Sequence, residues 1–238
     1  MKRLTNTITF DSTASRPKHG FALIYDLDGF SKFFNQPDAQ NYVPRVMNEI
    51  SLALNICIFG GQAYWQDNKV KYHSLNRIPV HEKFLGDGAM YLWAETKHQP
   101  LDPTFVQYLI NRIFNLKMGF GHVVKKCYEI APVVDLPQKI RFGLAMGTIY
   151  ELTRKNSAQR EYIGFPINLA SRLQKYCPAL GFIASARIGL PERMIKDDEY
   201  IKVVAKKIKG FPREIVIVDK DEYENLSKET KDLYFDAL

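Results

Sequence analysis

The stretch Gly20-Phe21-Ala22-Leu23-Ile24-Tyr25-Asp26-Leu27-Asp28-Gly29-Phe30-Ser31 decides the fold. Its apolar run over residues 21–25 reads as a buried strand, and the acidic turn that follows closes on Gly29. Residues 38–58 then place Val43, Val46, Met47, Ile50, Leu54 and Ile58 at three- and four-residue steps, an amphipathic helix ended by Gly60-Gly61. Two extended runs, 78–85 and 89–93, are pinched together at Gly86-Asp87-Gly88, a hairpin signal. A second long helix is predicted over 103–128, with Phe105, Leu109, Ile113, Leu116 and Phe120 on one stripe and possible breaks at Gly119 and Gly121. Beyond the Pro132 and Pro137 loop, residues 139–146 and 148–152 read as two strands hinged at Gly147, and 166–176 as a short helix with Pro at its first turn. The tail predicts strands near 200–207 and 214–218 and a charged helix near 222–238. Strand, helix, hairpin, helix, strand is an α+β order, a ferredoxin-like βαββαβ core with additional strands and helices.

Composition agrees with one folded core. The 238 residues are 46% hydrophobic and 25% charged, which excludes fibrous and disordered classes. The 33 Lys and Arg outnumber the 26 Asp and Glu, leaving +7 and a preference for anionic partners. The longest apolar stretches, 20–25 and 50–60, fall well short of the roughly 20 residues that span a bilayer. With no signal-peptide pattern at the N-terminus, a soluble cytoplasmic protein without a membrane partner is expected. Cys57, Cys127 and Cys177 are odd in number and never in CxxC spacing, so they read as buried small hydrophobes rather than disulfides or zinc ligands.

Two carboxylates, Asp26 and Asp87, sit beside glycines at strand ends. Either alone is ordinary turn chemistry, since Asp-Gly is a common hairpin dipeptide. On a ferredoxin-like sheet, however, the end of the first strand and the tip of the central hairpin are neighbours. Two acids converging there suit hard divalent ions that clamp an in-line phosphoryl displacement, and flanking glycines let phosphates approach the backbone.

These motifs together resemble the class III nucleotidyl cyclase catalytic domain from about residue 21 to 218. Tyr25 to Ser31 is similar to the family's first metal motif and Lys83-Phe84-Leu85-Gly86-Asp87 to its second. Arg141-Phe142-Gly143 with Gly147 is similar to the strand-turn-strand that follows. Gly164-Phe165-Pro166-Ile167-Asn168-Leu169-Ala170-Ser171-Arg172 resembles the helix that presents a ribose-binding Asn and a transition-state Arg, and Lys209-Gly210 falls at the place of a triphosphate Lys. The resemblance implies an arm over 1–19, a catalytic domain over 20–220 and a helical tail over 221–238. It implies a nucleoside triphosphate substrate whose 3′-hydroxyl attacks its own α-phosphorus. Asp26, Asp87 and the Leu27 carbonyl would hold two divalent cations, Mg²⁺ or Mn²⁺. Gly29, Phe30, Ser31 and Lys209 would contact the triphosphate, Asn168 the ribose and Arg172 the α-phosphate. Asn168 and Arg172 are four apart and share a helix face. Because the family divides these contacts between two domains and this chain carries both halves, a symmetric homodimer is the expected active form.

The resemblance puts Lys83 and Glu161 at the base edge, an arrangement that disfavours guanine. A Lys donor beside a Glu acceptor leaves adenine, cytosine and uracil open. The longer reach of Glu161 and a stand-alone domain without sensor or anchor resemble the bacterial cyclases of Pycsar antiphage systems. That implies UTP as favoured substrate, cyclic UMP as product and a separate effector protein that reads it, with cytidylate and adenylate cyclases as alternatives. A module that only binds nucleotide or RNA is the rival of another class. Lys209-Gly210-Phe211 matches part of an RNA-binding element, but Pro212-Arg213-Glu214 breaks the pattern, and no nucleic-acid partner is expected. Most of the five histidines read as surface residues, Asp28 as a turn residue, and the Lys202, Lys206, Lys207, Arg213 cluster as a solvated strand edge.

Overall fold

The computed structural model describes residues 9–66, 68, 70–155, 160–196 and 199–236. In chain order these form β1 (Lys18–Asp28), α1 (Phe30–Phe34), α2 (Ala39–Phe59), β2 (Gly61–Gln62), β3 (Lys71–Tyr72), β4 (His81–Phe84), β5 (Gly88–Ala94), α3 (Pro103–Met118) and α4 (Phe120–Ile130). The second half holds β6 (Lys139–Thr153), β7 (Arg160–Gly164), α5 (Phe165–Leu173), β8 (Phe182–Ser185), α6 (Glu192–Lys196), β9 (Tyr200–Ile208), β10 (Phe211–Asp219), α7 (Lys220–Glu224), α8 (Lys228–Tyr234) and β11 (Phe235–Asp236).

The main sheet runs β11-β9-β10-β8-β6-β1-β5-β4, with β7 paired to β6. Its segment β6-β1-β5-β4 is antiparallel throughout and, with α2 and the α3–α4 pair, makes the expected βαββαβ core. Alternation along β1 sorts its side chains onto two faces. Phe21, Leu23, Tyr25 and Leu27 enter a core with α2, α3 and α4, while Ala22 and Ile24 meet Leu169, Ala170 and Leu173 of α5 on the other face. Asp26 continues that second series, so the strand's last inward step toward α5 is a carboxylate. Both faces of the central sheet are covered, whereas sheet-type RNA readers stack bases on an open aromatic face.

Local chemistry explains the boundaries. Asp102 caps α3 by accepting from the Thr104 N–H at 2.9 Å, with Pro103 behind it in the first turn. The long helix breaks at Gly119, whose N–H closes α3 on the Asn115 carbonyl before α4 begins. Two sequence expectations are corrected. The region read as two strands hinged at Gly147 is one continuous strand, β6. Gly147 stays extended opposite Gly20 in the ladder, and its missing side chain makes room for α5, since a Cβ there would stand 2.9 Å from the Phe165 ring. The tail is not one helix: α7 and α8 are short, and the chain turns back so that β11 pairs with β9 and buries Phe235 against Tyr176, Tyr223 and Tyr234. In the arm, the described residues dock on β6 and the residues just after it. The Asp11 N–H donates to the Thr153 carbonyl, Thr9 accepts from the Lys155 N–H, and Phe10 bridges Arg154. The three cysteines are free and buried, as their spacing implied, and burial raises each thiol pKa.

Candidate active site

The antiparallel register of β1 and β5 sets Asp26 directly across from Gly88, and the Leu27 N–H donates to the Asp87 carbonyl at 3.0 Å. This brings the first strand's end against the hairpin tip. The approach requires glycine at 88, because a Cβ there would lie 2.0 Å from the Tyr25 carbonyl oxygen. Asp26, Leu27, Asp28, Gly29, Phe30, Ser31 and Asp87 line one open pocket of about 250 Å³ together with Arg141 and Lys175. Asp26 is only 5% exposed, and its Oδ2 accepts from Arg141 at 2.6 Å. Arg141 stands across the β1–β6 ladder from Asp26 and also lies 3.8 Å from Asp28. The Asp87 side chain has no ion pair or hydrogen bond among the described residues.

A second pocket, of about 400 Å³, lies beside the end of α5. Arg172, Lys175, Lys206, Lys207 and Lys209 line it with Tyr176 and Tyr234, and no carboxylate is among the lining residues. The Tyr176 hydroxyl donates to the Lys206 carbonyl at 2.6 Å and accepts from the Lys206 N–H at 2.8 Å, tying the β9–β10 hairpin to α5. Lys206 Nζ is held by Asp236 at 3.1 Å and the Asp232 carbonyl at 2.6 Å. Part of the basic cluster read as a solvated edge is therefore a pocket wall. Asn168 and Arg172 project to solvent from the same face of α5, between the buried Leu169, Ala170 and Leu173. Only Lys175 lines both pockets, so one chain does not bring Arg172 into the carboxylate pocket.

Lys83 lies on β4 and Glu161 on β7, two strands that approach each other at a third place. Lys83 is exposed on β4, two residues along the same face from His81. The Glu161 Oε1 accepts from Arg154, and its Oε2 lies 3.9 Å from His81 Nε2. His81 is not a surface residue: its ring packs against Tyr162, with centroids 5.4 Å apart, and burial lowers its pKa while nearby Glu161 opposes that shift. The Tyr162 hydroxyl donates to Glu151 at 3.3 Å and is pushed up by burial and then by that carboxylate.

Sequence reading missed Arg141, Arg154, His81 and Lys175. Arg141 could be found only from the strand register that faces it with Asp26. Arg154 and His81 require knowing that β7 folds back on β6 and reaches β4.

The carboxylate pocket's chemistry suits divalent cations. Among the described residues no three His, Cys, Asp or Glu side chains converge into a self-sufficient metal cage. A pair of carboxylates is what Mg²⁺ uses when substrate phosphates and water supply its other ligands. Among the described residues no helix is long and apolar enough to cross a membrane.

No protein-family model matches the chain, and no curated protein matches it. Solved structures do. The adenylyl cyclase CyaB from P. aeruginosa aligns with 87% of this chain and 95% of its own at 16% identity and a TM-score of 0.59. The guanylyl cyclase Cya2 aligns with 87% of this chain and 93% of its own at 15% identity and a TM-score of 0.60. A bacterial light-regulated adenylyl cyclase covers 91% of this chain and 95% of its own at 13% identity and a TM-score of 0.53. With its βαββαβ core, added strands and these likenesses, the chain has the class III nucleotidyl cyclase fold.

Proposed function

We propose that the chain is a nucleotide cyclase that converts a nucleoside triphosphate to its 3′,5′-cyclic nucleotide and pyrophosphate. The observation that carries this reading is the meeting of Asp26 and Asp87 in one pocket of a chain that also projects Asn168 and Arg172 from one helix face. The O3′–Pα bond forms as the bond from Pα to the bridging oxygen of pyrophosphate breaks, and the 3′-hydroxyl gives up its proton. No protein nucleophile is required. When bound, two divalent cations, Mg²⁺ or Mn²⁺, supply a lowered hydroxyl pKa and charge neutralisation on the triphosphate. Asp26, Asp87 and the Leu27 carbonyl would hold them, while Arg141 keeps the Asp26 carboxylate oriented. Asn168 orients the ribose so that the hydroxyl is in line with the leaving group. Arg172 neutralises charge growing on the α-phosphate, where a planar fork suits spread oxygens. Gly29, Phe30 and Ser31 receive phosphate oxygens near the metals, and Lys209, helped by Lys175 and Lys207, attracts the remaining charge.

Arg172 and the carboxylates belong to different pockets of one chain, and this supports a two-fold symmetric homodimer with two equivalent sites. Each site then carries metal ligands from one protomer and Asn168, Arg172, Lys83 and Glu161 from its partner. UTP is the favoured substrate, with CTP and ATP as alternatives, and an effector protein reading the product in antiphage signalling follows from the resemblance to Pycsar cyclases. Incubating the purified protein with each of the four labelled nucleoside triphosphates and Mn²⁺ tests this reading. Cyclic UMP as main product is expected. Product from ATP alone would overturn the pyrimidine assignment, and no cyclic product from any of the four would overturn the cyclase assignment.

A further inference from the structure

Phe165, Asn168 and Arg172 recur at three- and four-residue steps and so share one stripe of α5. Phe165 opens that stripe and is held by side chains from two other parts of the chain. The guanidinium carbon of Arg187 stands over its ring, 4.8 Å from the centroid, and Phe211 of β10 meets it edge-on, with centroids 5.3 Å apart and planes at 89°. Gly147 of β6 leaves the ring its space. Phe211 follows Lys209 and Gly210 at the tip of the β9–β10 hairpin. The same cluster therefore joins the helix that carries Asn168 to the hairpin that carries Lys209.

Arg187 is itself fixed. Its Nε donates to Glu214 Oε1 at 2.8 Å and its Nη2 to Oε2 at 3.2 Å, a forked contact with a carboxylate whose side chain is only 5% exposed. The Ser185 hydroxyl donates to the same Oε1 at 2.8 Å and accepts from the Arg187 N–H at 3.2 Å, which fixes the backbone as well. A guanidinium held in plane by its carboxylate keeps a flat cationic face for an aromatic ring.

We propose that Arg187 is a positioning residue for cyclisation: stacked on Phe165, it sets the first turn of α5 against the β9–β10 hairpin, so that Asn168 and Lys209 reach the nucleotide together. This rests on the cyclase reading and deepens it. A ribose turned out of line costs rate rather than affinity, since the 3′-hydroxyl must approach the α-phosphorus opposite the leaving oxygen.

The test separates positioning from support of the fold. Phe165→Leu keeps the Arg187–Glu214 pair and removes only the ring. Arg187→Met combined with Glu214→Gln removes the guanidinium without leaving a buried charge unpaired. Each is measured for kcat and KM with the triphosphate that wild type turns over best, beside thermal melting. Both should lose about 10- to 100-fold in kcat, with KM changed much less and a melting temperature close to wild type. Arg187→Met alone should melt lower, and adding Glu214→Gln should restore the melting temperature but not kcat. Recovery of kcat along with the melting temperature, or a folded Phe165→Leu chain with wild-type kcat, overturns the positioning role and leaves the cyclase reading standing. A wild-type chain that forms no cyclic product from any of the four nucleoside triphosphates overturns the cyclase reading, and this inference with it.

Discussion

The carboxylate pocket and the cationic pocket share Lys175 and are built in opposite ways. The first is made by a sheet. Asp26 is nearly buried, its partner Arg141 is set by ladder register, and Asp87 is delivered by a hairpin whose glycine allows backbone contact. The second is made by long exposed side chains on a helix end and a hairpin tip, with Arg172 and Lys209 pointing to solvent. The acid half is therefore preorganised in a single chain, and in the proposed cyclase the cationic half would face a triphosphate held by a second protomer. The difference also predicts how each half should fail.

The largest expected effect falls on the acid half. Asp87→Ala should reduce cyclic nucleotide formation to background while the melting temperature hardly changes, because the Asp87 side chain has no bond among the described residues to lose. Measured turnover close to wild type would break the metal assignment. Arg172→Ala should reduce kcat by roughly 10²–10³, the usual cost of removing one charge donor to the transition state, again with little change in stability because the side chain is exposed. A drop confined to KM would make Arg172 a docking cation instead.

Arg141→Met sharpens the contrast, since it should cost both activity and stability. It leaves Asp26 buried without its counter-charge, a loss of about 3 kcal/mol on chemical denaturation. The smallest effect concerns His81. Burial holds its pKa below 6.5 in the folded chain, so the unfolded chain binds the proton more readily. The stability tied to neutral His81 is therefore complete above the unfolded value and is lost as pH falls through 6.5 toward the folded pKa. Thermal melts of His81→Gln against wild type should show a shallower decline on acidification; parallel curves would mean that His81 titrates as an ordinary surface group.

How much of this could be read from the chain alone follows the same division. The strand ends, the hairpin at Asp87 and the Asn168–Arg172 face are local patterns, carried by glycine placement and by alternation or helical spacing over a few residues, and they appear in the structure where periodicity put them. The partners of those residues are not local. Arg141 lies 115 residues from Asp26, and its role depends on which strands pair and in what register. Gly147 was misread as a hinge because a glycine that admits a neighbouring ring looks, in sequence, like a glycine that turns. The tail was misread as one helix because the burial of Phe235 among aromatic rings outweighs the helical preference of its charged neighbours.

The central claim is that one active site needs the acid half of one protomer and the cationic half of another. Co-expressing Asp87→Ala with Arg172→Ala tests it most directly. Each variant alone should be inactive, but random pairing makes half the dimers mixed, each with one intact site, so the mixture should regain about a quarter of wild-type activity. A mixture that stays inactive although mixed dimers form would contradict the shared site.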